Sequence, residues 1–64
     1  MDQLALTETH IVQGERLIRD QREIIQILER GNRDVSGAKE LLRELERAHA
    51  THVALREELV AARR

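Results

Sequence analysis

The sequence predicts an all-α fold: an antiparallel two-helix hairpin of coiled-coil type, assembling as a homodimeric four-helix bundle. Three observations carry that reading. The 64 residues include no Pro, Phe, Tyr, Trp or Cys. Apolar residues recur every seven positions along two separate segments. The one cluster of loop-forming residues, Gly31, Asn32, Arg33 and Asp34, falls almost at the midpoint. A chain this short holds a single domain, here one hairpin over 1–64.

Helix 1 is expected over about 3–30. Leu4, Ile11, Ile18 and Ile25 form one heptad column, and Thr7, Gly14, Gln21 and Leu28 follow three positions behind. Asp2 suits the positive end of this helix dipole and Arg30 the negative end. The turn is expected at 31–34, with Gly31, followed by Asn32, able to take the left-handed conformation that ends a helix. Asp34 can accept from free backbone donors at the next start. Helix 2 is expected over about 35–63, ending on Arg63 and Arg64, with columns Ala38, Leu45, His52, Leu59 and Leu41, Ala48, Leu55, Ala62. Folding at the turn pairs positions whose numbers sum to about 66, so that Ile25 meets Leu41, Ile18 meets Ala48 and Gly14 meets His52. Large residues then mostly oppose small ones, which lets the layers interdigitate.

Each helix also carries a third apolar column, Leu17 and Ile24 in helix 1 and Leu42 with His49 in helix 2. Stripes that wide suit a bundle better than a two-stranded seam. A chain of this size without disulfide or metal commonly gains stability by oligomerising, most simply as a two-fold dimer. The expected interface is Ile11, Gly14, Leu17, Ile18, Gln21, Ile24, Ile25, Leu28, Leu41, Leu42, Leu45, His49 and His52. Gln21 and His52 are polar within apolar columns, where such groups fix register and oligomer state. If His52 is buried neutral, acid should loosen the bundle. Val12, Ile27, Val53 and Val60 lie off the stripes and offer places for a further protein partner.

Outward charges fall at helical neighbour spacing: Glu15 to Arg19, Arg16 to Asp20, Arg19 to Glu23, Glu40 to Arg43 and Glu44 to Arg47. Eleven Lys plus Arg against twelve Asp plus Glu leave a net charge of -1, with no global field for nucleic acid or anionic lipid. Apolar runs are too short to span a membrane, and a cytoplasmic location is expected. Arg16, Arg19 and Arg22 are the candidate nucleic-acid footprint. Glu15, Asp20 and Glu23 interrupt them, and no aromatic supplies a stacking platform.

His49 and His52, three apart, could share a metal, and His10 could approach the same end of the hairpin. The competing reading has His52 filling the space opposite Gly14 and His49 edging the oligomer contact. Glu46 and His49 form a Glu-x-x-His pair like that of di-iron bundles, but the inward glutamates those sites need are missing. No nucleophile with a base, phosphate loop or inward carboxylate pair occurs, so neither an enzyme nor a cofactor is expected.

The run His10-Ile11-x-x-Gly14-Glu15-x-x-Ile18 with Gln21, Ile24 and Ile25, followed by Gly31, Asp34, Ala38, Leu41, Leu42 and Leu45, resembles a group of short, largely alphaproteobacterial helical-hairpin proteins of unknown function. The resemblance covers about 10–45 and implies the fold without an activity. In length and turn position the chain is also similar to the small dimeric hairpins that modulate plasmid copy number by binding paired RNA loops. The expectation that follows is a self-associating interaction or regulatory adaptor, with a small RNA-binding modulator and a histidine-based metal-binding bundle as the alternatives.

Overall fold

A computed structural model describes residues 2–63. The chain forms two helices, α1 over Gln3–Arg30 and α2 over Ser36–Ala62, and no strand among the described residues. They lie antiparallel in a rod whose Cα extents are 51 × 15 × 15 Å. α1 runs for 28 residues and α2 for 27, and the turn occupies 31–35.

Local chemistry sets the boundaries. The Asp2 carboxylate accepts from the Leu4 amide at 3.1 Å and caps α1. At the other end, the Asn32 amide donates to the Glu29 carbonyl (3.1 Å) and the Arg33 amide to the Leu28 carbonyl (2.9 Å). These two bonds make a Schellman motif, which requires a left-handed residue just past the helix. Asn32 takes that role with φ of 54°, while Gly31 keeps an ordinary φ of -87°. The left-handed residue is therefore the asparagine rather than the glycine. Asp34 accepts from the Ser36 amide at 3.0 Å, as expected, but the residue flanking α2 is Val35, which makes no side-chain cap bond.

The core is thin and one-sided. Ile11, Ile18 and Ile25 are its buried aliphatics, all on α1, and no described residue of α2 is buried. Two buried polar residues accompany them, and both are satisfied. Thr7 donates to the Gln3 carbonyl one turn back, at 2.8 Å. Gln21 donates across the hairpin to the Ala38 carbonyl, at 2.9 Å.

The seam differs from the expected one in the rotation of α2. The column Ala38, Leu45, His52, Leu59 faces inward as predicted, but its partner is Val35, Leu42, His49, Arg56 instead of Leu41, Ala48, Leu55, Ala62. Leu41 is 49% exposed. Gly14 accordingly faces His49, not His52: a Cβ on Gly14 would lie 2.9 Å from the His49 Nδ1. Carrying that contact along the heptads puts Ile18 opposite Leu45 and Ile25 opposite Ala38. The numbers then sum to 63, one helical turn away from the expected register. At this rotation the imidazole of His49 lies against the glycine, Gln21 reaches the Ala38 carbonyl, and ion pairs join the flanks of the two helices.

Candidate interaction site

Those ion pairs mark one side of the hairpin. Arg22 bonds Glu46 at 3.2 Å and Lys39 approaches Glu29 at 3.7 Å, each joining equivalent flank columns of the two helices. At the open end Arg63 bonds Asp2 at 2.7 Å. This cross-helix set was not legible beforehand, because it depends on the rotation of α2. Among the expected pairs within a helix, Glu44 with Arg47 forms at 3.0 Å, whereas Glu15 with Arg19, Arg16 with Asp20, Arg19 with Glu23 and Glu40 with Arg43 do not. Arg19 lies instead 3.9 Å from its neighbour Asp20. All these groups are exposed, so each pair contributes little to stability.

The opposite side is apolar. It carries the flank columns His10, Leu17, Ile24 on α1 and Leu41, Ala48, Leu55, Ala62 on α2. Leu17 is 52% exposed, Ile24 46% and Leu41 49%. In an antiparallel pair these columns adjoin, so the three aliphatics share one face with nothing over them. The next columns outward, Leu6, Gln13, Asp20, Ile27 and Gly37, Glu44, Thr51, Glu58, hold acids but no Lys or Arg. Ile27, at 64%, and Leu6, at 41%, extend the apolar character along the α1 rim.

The expected interface residues thus separate into two groups. Ile11, Gly14, Ile18, Gln21, Ile25, Leu28, Leu42, Leu45, His49 and His52 lie in the seam between α1 and α2 of one chain. Leu17, Ile24 and Leu41 remain on the open face. Leu42, assigned in advance to the third column, belongs to the seam, and Leu41 to the face. Val12 and Val60 are exposed on the ion-pair side, and Val53 is half-buried there. Of the candidate nucleic-acid arginines, Arg22 is tied to Glu46 and Arg19 sits beside Asp20, while Arg16 is exposed without an ion pair among the described residues.

Toward the open end the seam turns polar. His10 and His52 meet across the helices with ring centres 5.0 Å apart and planes tilted by 39°. His49, one turn before His52, packs its Nδ1 against Gly14, where that nitrogen is buried without a hydrogen-bond partner. Arg56 follows one turn later, half-buried and without an ion pair among the described residues. No group of three or more His, Cys, Asp or Glu is placed to hold a metal among the described residues.

Two carboxylates are shifted. The Arg63 guanidinium first, and the Leu4 amide second, hold Asp2 below the usual carboxylate range. The backbone N–H of Ser36, and then its hydroxyl, do the same for Asp34. No helix of the described chain is long and apolar enough to cross a membrane. Comparison with known proteins returns no match: no family model fits the chain, and none of the curated proteins or solved structures is similar to it.

Proposed function

We propose that this chain works by association rather than catalysis: a self-associating helical hairpin, paired through its apolar face into a homodimeric four-helix bundle, that serves as an interaction or regulatory adaptor. The resemblance to short bacterial hairpins suggests the cytoplasm of a bacterial cell as its setting. The observation that carries the reading is the placement of Leu17, Ile24 and Leu41, about half exposed, on one face opposite the interhelical ion pairs. Complete burial of such a side chain contributes about 2 kcal/mol, so covering the exposed halves of six in a two-fold pair contributes about 6 kcal/mol. That gain stands against the roughly 4 kcal/mol or more that association costs in lost translational and rotational freedom. Ala48 and Leu55 on the same face add to the gain.

Sedimentation equilibrium tests the reading. The chain of 7.4 kDa should sediment at twice that mass at high micromolar concentration. Ile24→Glu and Leu41→Glu, each putting a charge on the face, should return it to the single-chain mass. Two copies meeting here bring Asp20, Glu44 and Glu58 toward their equivalents, with the Arg19 and Arg47 partners offsetting part of that repulsion, so association should tighten as added salt screens the rim. A wild-type chain that stays at the single mass up to millimolar concentration removes the proposal, and a dimer insensitive to both substitutions removes the face.

A further inference from the structure

The open half of the seam holds three imidazoles beside the buried Ile11, and none of them is among the residues on which the proposed association rests. His10 and His52 come from different helices, separated by 42 positions in sequence, yet their rings touch at 5.0 Å between centres. Both are half-buried, so solvent ions reach them. Neither ring has a hydrogen bond to another residue among the described ones, which leaves on each neutral imidazole one nitrogen lone pair without a protein partner. Rings this close can each turn a nitrogen onto a common point about 2.0 to 2.1 Å away, the distance of an imidazole–zinc bond.

From this we infer that His10 and His52 form a two-imidazole site for a late first-row divalent cation, Cu2+ or Zn2+, clamping α1 to α2 near the open end. Water completes the coordination, since no third protein ligand is placed to join. The neighbouring charge argues for the same ions. Arg56 lies one turn beyond His52, and its positive charge opposes cations held mainly by electrostatic attraction, such as Mg2+ or Ca2+. Ions bound through nitrogen donation tolerate it better, and imidazole affinity rises along the series to Cu2+. The Nδ1 of His49 is turned into the seam against Gly14 and is closed to a metal, and the pair assigned here is His10 with His52.

The test is calorimetric titration of the untagged full chain with Zn2+ and with Cu2+, alongside thermal melts followed by circular dichroism. One ion per chain is expected, with a higher Tm that falls back when a chelator removes the metal. His10→Ala and His52→Ala should each abolish the binding heat and the Tm gain, and His49→Ala should keep both. His10→Gln and His52→Gln, polar and of similar size but poor ligands, serve if an alanine variant loses its helicity. Stoichiometry is counted per chain, so the outcome stands whether the hairpin is single or paired. Absence of any heat or Tm change at millimolar metal overturns the inference. So does binding that survives in both the His10 and His52 variants, or binding that His49→Ala removes, which would assign the ion to the His49 and His52 pair on one helix.

Discussion

A single asparagine shows how closely this hairpin depends on backbone conformation. Asn32 holds the left-handed turn that closes α1, at φ of 54°. A β-branched residue there meets the steric cost of that region, about 1 to 2 kcal/mol. Asn32→Val should therefore lower the Tm by several degrees and Asn32→Gly should leave it equal or higher, by thermal melt. Equal melting of the valine and glycine variants would show that the turn relaxes to another conformation. The two shifted carboxylates give a second residue-scale expectation. Asp2 and Asp34 are held below their ordinary range in the folded chain, so their stabilising effect is complete above that range and is lost as pH falls through the lowered values. Asp2→Asn with Asp34→Asn keeps an acceptor at each position but removes the titration. Wild type should melt above this variant at neutral pH, and the gap should narrow as pH falls below about 5 and through the lowered range of the two carboxylates. A gap that stays constant across that range would assign the effect to something other than these charges.

Among the helices, the unequal quality of the seam is what matters. Ile18, Gln21, Ile25, Leu42 and Leu45 pack the half nearest the turn, and Gln21 locks it with a bond that a slip of one heptad would break. The far half keeps Thr7 and Ile11 buried but sets around them His10, Gly14, His49, His52 and Arg56, with the unpartnered His49 nitrogen adding a penalty there. Local opening should follow that division. Amide hydrogen exchange is expected to be slower over 18–28 and 42–48 than over 7–14 and 52–59, and uniform protection along both helices would contradict it. The helices themselves were legible in the sequence, because heptads, a midpoint turn and capping residues all agreed on their limits. The rotation of α2 was not. Its inward column Ala38, Leu45, His52, Leu59 has a neighbour three residues on and another four residues on, and both lie beside it on the helix surface. Hydrophobicity favours the first, with Leu41 and Ala48. The contacts seen at the second, the His49 ring over Gly14 and the pairs Arg22 with Glu46 and Lys39 with Glu29, run between the helices and are not visible in either segment alone. The contact of His10 with His52 was within reach of sequence reasoning, which brought both to one end of the hairpin.

Taken whole, the molecule has two unlike sides: a flank of ion pairs between the helices, and an apolar flank edged by acids. The apolar residues Leu17 and Ile24 were visible in advance as a column too many for a two-stranded seam, while Leu41 joined them only through the rotation of α2. The long, narrow outline, 51 Å by 15 Å, carries a practical result for anyone weighing one copy against two. A rod diffuses more slowly than a sphere of equal mass, so a column calibrated with globular standards will overstate the size of a solitary hairpin. Side-by-side pairing thickens the particle without lengthening it. The frictional ratio should therefore drop as mass doubles, and elution volume will move less than the change in stoichiometry would suggest.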